Sequence, residues 1–306
     1  MVFIRAIVAR HIGACYSGAV STTIAMILDP AGRDSAEHRA LLHASMLADL
    51  PVVRVAMSGL VAHAEALRSG SAVPAGSVEY VREAMRVAGV VEPPPLSYPE
   101  PLLPYLGRRV ELSGAGQLAG RCFVKPRRTK LFTGFVFDAG AAPGAYTDHD
   151  REQLVVLQSL PPDEPVWCCD VVQIVGEWRY YVLRDVVLGR GRYDPDGADD
   201  APQPDEATVG RAVHAMRALG IVAYSLDVGV LADGRTVVVE ANDAWALGLY
   251  ERAIRPAAYW EMLRTRWLQI GGHEKSPALG RAEGAHGAPQ GEGDPCSLSH
   301  QSPHPS

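Results

Sequence analysis

Ile221-Val-Ala-Tyr-Ser-Leu-Asp-Val-Gly-Val-Leu231 and Thr236-Val-Val-Val-Glu-Ala-Asn242 flank Asp233-Gly234, a dipeptide that favours a tight two-residue turn between antiparallel strands. Taking those two residues as the loop pairs Ala232 with Arg235, and counting outward sets Asp227 across from Glu240 and Ser225 across from Asn242. Side chains alternate along a strand, so the other face carries Tyr224, Leu226, Val228 and Val230 beside Val237, Val239 and Ala241, an apolar surface suited to packing against helices. Like charges directly opposite each other across a ladder repel. Asp227 and Glu240 therefore need a cation between them, either a lysine or arginine on a solvated face or a divalent metal. Mg2+ suits the second alternative: it takes hard oxygen ligands, one or two of them carboxylates, and Asn242 lies two residues along the same face as Glu240.

Upstream, Glu177-Trp-Arg-Tyr-Tyr-Val-Leu183 and Val186-Val-Leu-Gly-Arg-Gly-Arg-Tyr193 read as a second hairpin, turning at Arg184-Asp185. A two-residue loop there sets Arg179 against Arg190 and Glu177 against Arg192, with Trp178, Tyr180 and Val182 on the other face. Facing arginines suit an anionic ligand such as a triphosphate or an acyl phosphate; Glu177 with Arg192 also reads as a plain salt bridge. Cys122-Phe-Val-Lys-Pro126 puts Lys125 at the end of an apolar strand, before a basic loop that holds Lys130 and Gly134. Such a lysine can reach a phosphate chain over a sheet. Taken in isolation the loop reads first as a basic surface segment with no partner, and with Phe132 it could also touch RNA.

A length of 306 residues suggests two or three packed subdomains, and 47% apolar with 21% charged residues is an ordinary globular composition. Twenty-nine Lys and Arg against thirty-five Asp and Glu give a net charge of -6, which supplies no general field for nucleic acid, so none is expected as a partner. The five cysteines include no CxxC pair, which fits a reducing cytoplasm; Cys168 and Cys169, adjacent in a strand, face opposite ways and share no metal. Residues 12–28 carry no charge but are short and rich in Gly, Ser and Thr, and are expected to form a buried helix rather than a membrane anchor.

Alternating strands and helices over residues 1–95, with strands at 1–8 and 51–55, predict an α/β N-terminal region. A helix should start at Ser77, a good N-cap. The prolines between Glu92 and Pro101 fix an extended boundary. Beyond it, antiparallel strands are predicted at 121–125 and 133–138 in a subdomain over 96–165. Further strands at 166–175, 177–183 and 186–193, an exposed loop at 194–205, a helix at 206–219 and the last hairpin form a subdomain over 166–270. Residues 271–306 lack apolar periodicity and are expected to be a disordered tail. The fold class is α+β with an α/β N-terminal region.

Phe123-Val-Lys-Pro, Gly176-Glu-Trp-Arg, Ser225-Leu-Asp-Val-Gly-Val and Val239-Glu-Ala-Asn-Asp-Ala-Trp-Ala-Leu-Gly-Leu-Tyr250 come in the order seen in ATP-grasp proteins, and the set is far more specific than any member. Together with Pro74-Ala-Gly-Ser-Val-Glu-Tyr80 and Leu96-Ser-Tyr-Pro99, the chain resembles most the ATP-grasp clade named for two arginines and a lysine, over residues 73–250. The resemblance implies a nucleotide clamped between two α+β subdomains, with ATP phosphates at Lys125 or Lys130 and Mg2+ or Mn2+ at Asp227, Glu240 and Asn242. It places adenine near residues 166–172, with Asp170 where many members carry Glu, and it puts Glu177 at the nucleotide. Arg179 or Arg192 would stabilise an acyl phosphate. The implied activity is an ATP-dependent ligase joining a small-molecule or peptide carboxylate to an amine. A phosphotransferase on the same fold and a non-catalytic nucleotide-binding module are the alternatives.

Overall fold

The computed structural model describes residues 25–193, 201–250 and 252–273. Its N-terminal region is a parallel sheet of β1 (Ala25–Leu28), β2 (Val52–Arg54) and β3 (Ala72–Ala75), in the order β2-β1-β3. Residues 25–28, expected as the end of a buried helix, are instead the central strand. A short apolar run covered on both faces is stable as a parallel strand, and Met26, Ile27 and Leu28 are fully buried. The other residues of that expected helix, the strand expected at 1–8 and the tail from residue 274 lie outside the described residues.

Helices α1 (Ala36–Ala48), α2 (Ala64–Arg68) and α3 (Val78–Ala88) accompany this sheet. Ser77 caps α3 as expected, its Oγ accepting from the Tyr80 amide at 3.2 Å, and Gly89 ends the helix at φ 72°. The proline-rich segment then runs beside the last strand of the chain, where Ser97 O accepts from Ala241 N at 2.9 Å.

Two four-stranded antiparallel sheets follow. β4 (Val110–Gly114), β5 (Arg121–Pro126), β6 (Phe135–Asp138) and β7 (Pro165–Cys169) assemble as β4-β7-β5-β6, beside α4 (Asp148–Ser159). β8 (Ile174–Leu183), β9 (Val186–Arg192), β10 (Ala223–Leu231) and β11 (Thr236–Asp243) assemble as β11-β10-β8-β9. The strand expected to run through 166–175 is broken: residues 170–173 leave the first of these sheets and enter the second. Cys168 and Cys169 do part to different cores, Cys169 joining Tyr98 and Cys168 joining Val124 and Phe135. Helix α5 (Glu206–Met216) continues into a 3-10 turn that ends at Gly220, and α6 (Pro256–Ile270) closes the described chain. Ala201 and Pro204, within the loop expected to be exposed, are buried.

One face of the last sheet is apolar. Trp178, Tyr180, Val182, Leu226, Val228, Val230 and Val238 pack with Val209, Val213 and Met216 of α5. Each such side chain contributes about 1.5–3 kcal/mol on burial, which anchors the sheet that carries the charges on its opposite face. Among the described residues no helix is long and apolar enough to cross a membrane.

The register of this sheet turns on two extra residues. In the β10–β11 hairpin the loop is one residue longer than a two-residue turn: Val230 pairs with Thr236, Leu231 N donates to Arg235 O, and Gly234 takes φ 84°. The ladder then shifts between Asp227 and Val228, leaving Val239 as an extra residue. The two irregularities offset each other. Asp227 faces Glu240 and Ser225 faces Asn242 as the sequence predicts, whereas nearer the turn Val228 meets Val238. Val239 points to the charged side, with Cγ2 3.2 Å from where a Cβ on Gly229 would lie. In the β8–β9 hairpin the two-residue loop is present, with φ 47° at Arg184 and 63° at Asp185, but Leu188 is extra and nothing offsets it.

Candidate functional site

A row of residues crosses the charged face of the last sheet: Glu240 on β11, Asp227 on β10, Arg179 on β8 and Gly191 on β9. The next row holds Asn242, Ser225, Tyr181 and Gly189. Asp227 is 1% exposed and is gripped in a fork: Arg179 Nε donates to Oδ1 and Nη2 to Oδ2, both at 2.7 Å. Asn242 Nδ2 donates to Asp227 Oδ2 at 3.0 Å. Lys125 reaches across from β5 of the neighbouring sheet and ion-pairs with Glu240. One cation answers each acid.

Burial works against charge on Arg179, but the Asp227 hydrogen bonds and field more than compensate, and its pKa rises. For Asp227 burial raises the pKa and Arg179 pulls it back. Because a guanidinium keeps its proton in proteins, we read the pair as ionised. Burial also opposes the Glu240 charge, yet Lys125 holds that carboxyl below its usual range. At Glu177, burial, then the charges of Asp227 and Glu240, push the pKa up to about 7, against the pull of Arg179 and Arg108.

The sequence-predicted residues divide. Lys125, Arg179, Asp227, Glu240 and Asn242 are brought together, and Glu177 lies within their field. Arg192 is not among them. The unpaired Leu188 shifts the ladder by one, so Arg192 faces Trp178 and Arg190 faces Tyr180, while Arg179 faces Gly191. Both arginines therefore stack on the apolar side, Arg192 at 5.8 Å from the Trp178 ring and Arg190 at 5.6 Å from Tyr180. Lys130 is exposed at the loop tip with φ 68°. Asp170 is exposed in the connector between sheets, accepting from the Arg109 amide at 3.1 Å.

Two neighbours carry no such signal in the sequence spacing. Tyr98, from the proline-rich segment, lies under Lys125 at 5.2 Å and under Arg108 at 5.9 Å, and Arg108 Nη2 donates to Val239 O at 2.9 Å. Residues 247–250 then form a strap over the charged row. Tyr259 Oη donates to Leu247 O at 2.5 Å, Tyr181 Oη donates to Gly248 O at 3.1 Å, and Tyr250 N donates to Tyr181 Oη at 2.9 Å. Arg179 stacks on Tyr250 at 5.0 Å. The absent Cβ of Gly191 makes room: a methyl there would come within 2.8 Å of Tyr250 and Ala253. Trp245 and Leu247 are core residues, buried against the N-terminal region.

Residues 105–262, just over half of the chain, match the family described as an ATP-grasp domain, family 2 of the clade named for two arginines and a lysine. The chain belongs to the ATP-grasp family. Its mixed helices and sheets are the α+β class expected for an ATP-grasp domain. The match spans the residues from Lys125 to Asn242 and leaves the parallel N-terminal sheet outside. No curated protein matches the chain. Among solved structures the ATP-grasp chain is similar to the D-cycloserine synthetase DcsG, at 16% identity and TM-score 0.47 over 82% of this chain and 98% of that one. It is also similar to D-alanine–D-alanine ligase from Bacillus anthracis, at 14% identity and TM-score 0.44 over 83% and 99%. A third likeness is to the ATP-grasp ligase PsnB complexed with minimal precursor, at 13% and 0.43 over 79% and 98%.

Proposed function

We propose that the protein is an ATP- and Mg2+-dependent ligase that joins a carboxylate to an amine through an acyl phosphate. The observation that carries this reading is the row Glu240–Asp227–Arg179 with Lys125 facing it from a second sheet: two neighbouring acids are flanked by a cation on each side where two sheets approach. The residues present fit a divalent cation. Two carboxylates and an amide share one face, and the charge of each carboxylate is felt at Glu177, where it adds to the rise that burial causes. Among the described residues no three Asp, Glu, His or Cys side chains converge to hold a metal unaided. That suits Mg2+, which completes its shell with substrate phosphates and water. Asp227, Glu240 and Asn242 would hold it, and when bound it supplies positive charge against phosphate oxygens.

The chain's own groups do the rest. Lys125, freed from Glu240, is placed to pair with the phosphate chain. The substrate carboxylate attacks the γ-phosphorus of ATP, its oxygen forming the new P–O bond while the bond to the β-phosphate oxygen breaks and ADP leaves. The amine then adds to the acyl carbon, and inorganic phosphate departs as the amide forms and the nitrogen loses a proton. Arg179, held by Asp227 through Nε and Nη2, keeps Nη1 outside that fork and would set it against this charge, since a fixed cation with little solvent exposure acts more strongly than one in water. The proposed role of Arg192 falls with the register: its side chain is on the other face.

Calorimetric titration of Mg·ATP into the wild type and into the double variant Asp227→Asn, Glu240→Gln tests the reading, with circular dichroism as the check of folding. Metal-dependent binding by the wild type that disappears in a folded variant is expected. A folded wild type that binds no nucleotide overturns it. ADP release that needs no amine would point to phosphotransfer instead.

A further inference from the structure

Ser225 lies on β10, an inner strand of the last sheet, on the charged face and directly opposite Asn242. It is fully buried, and its Oγ has no hydrogen-bond partner among the described residues. A buried hydroxyl left unsatisfied is destabilising, so one at the centre of a site needs a reason. An alanine there would carry no such cost.

Asn242 supplies the reason. Its Nδ2 donates to Asp227 Oδ2 at 3.0 Å and to Glu240 Oε1 at 3.5 Å. The amide thus turns its N–H edge to the two carboxylates, and that edge cannot ligate a cation; only Oδ1 can. For Oδ1 to join the carboxylates as a ligand, the amide must exchange its two ends, a turn about a torsion with two broad wells. Nδ2 then leaves both acids and needs another acceptor. The backbone on either side is pinned: Ala241 N donates to Ser97 O at 2.9 Å, and Arg266 holds the Asp243 carboxylate in a fork at 2.7 and 2.6 Å. The adjustment therefore falls to the side chain, and the residue facing it across the ladder is Ser225, within the reach of a cross-strand pair.

We propose that Ser225 Oγ accepts Asn242 Nδ2 when Oδ1 turns to a divalent cation, which makes Ser225 a positioning residue for the metal site. One amide then has two resting places, the carboxylates without the cation and the serine with it. This rests on the reading of Asp227, Glu240 and Asn242 as the metal ligands.

Asn242 is the only asparagine in the chain. Supplying asparagine enriched in the heavy nitrogen isotope therefore gives a single side-chain amide signal by nuclear magnetic resonance. The probe is a non-hydrolysable ATP analogue added to the full chain with and without Mg2+. We expect the signal to shift when Mg2+ accompanies the analogue, and its protons to gain an Overhauser contact to the Ser225 Hβ atoms. Ser225→Ala should raise the melting temperature of the chain alone by about 2 °C or more, because it removes an unsatisfied hydroxyl. In calorimetry the same variant should bind the analogue at least fivefold more weakly with Mg2+ and equally well without it. A serine that only fills the core would move stability and metal-dependent affinity together, or neither. If the wild type binds the analogue with Mg2+ but Ser225→Ala leaves that affinity unchanged, or lowers it together with the melting temperature, the role of Ser225 is refuted and the ligase reading stands. An Asn242 signal that gains no contact to Ser225 refutes it as well, and decides alone if the variant does not fold. If Mg2+ adds nothing to binding by the wild type, the metal reading fails and the role of Ser225 fails with it.

Discussion

The two hairpins of the last sheet make an instructive pair. Each contributes charged residues, each is closed by a short turn, and each contains one unpaired residue that bends the ladder. In β10–β11 the extra Val239 is balanced by a loop that is also one residue longer, so Asp227 and Glu240 end on one face. In β8–β9 the extra Leu188 stands alone, and Arg190 and Arg192 are carried to the face opposite Arg179. A strand has a period of two, so a single unpaired residue exchanges every side chain beyond it between the faces. One hairpin therefore gathers its charges and the other separates them.

The largest way to break this contrast is Asp227→Asn. It leaves Arg179, 12% exposed, without its counter-charge, and loss of one partner of a buried pair costs about 3–5 kcal/mol. Urea denaturation should show a loss of that size; a loss below about 1 kcal/mol would mean the fork is not held as described.

Glu177 gives the next effect. Its folded pKa of about 7 lies above the usual 4.5, so the folded state holds this proton more tightly than the unfolded one. The contribution is therefore fully present below pH 4.5 and is lost as pH rises to about 7. At about 1.4 kcal/mol per pKa unit, the fall is about 3.5 kcal/mol over that window. Stability measured against pH should flatten in Glu177→Gln; an unchanged slope would assign the fall to other groups.

Arg179→Lys keeps the charge but cannot form the fork. Losing one charge-assisted hydrogen bond should cost about 2 kcal/mol, and ADP release should drop more sharply than Mg·ATP affinity. Arg192→Ala sharpens the comparison from the other side. Its stacking on Trp178 is worth under about 1 kcal/mol, and its place on the opposite face means that Mg·ATP binding should change little. If Arg192→Ala abolished nucleotide binding as the acidic-pair variant does, the shifted register of β8–β9 would be wrong.

Much of the molecule follows from local chemistry already written in the chain. Ser77 and Gly89 bound their helix because a hydroxyl cap and a left-handed glycine act within a few residues. The Asp227–Glu240 pair was legible for a less secure reason: the two-residue turn inferred from Asp233-Gly234 is not the turn formed, and the extra Val239 restored the count. Residues 25–28 read as the end of a helix because a short apolar run has no period of its own; only its two parallel neighbours make it a strand.

By itself, the sequence determined the class of residue available for the chemistry and the order of its elements: acids and an amide on one hairpin, a lysine ending a strand, an arginine two residues beyond an acid. Tertiary structure alone decided which of them meet. It brought Lys125 to Glu240 from another sheet, set Tyr98 and Arg108 beside that contact, and turned Arg192 away. Spacing along a chain specifies faces only until the first bulge, and contacts between separate sheets depend on packing free energy summed over whole cores rather than on any local run of residues.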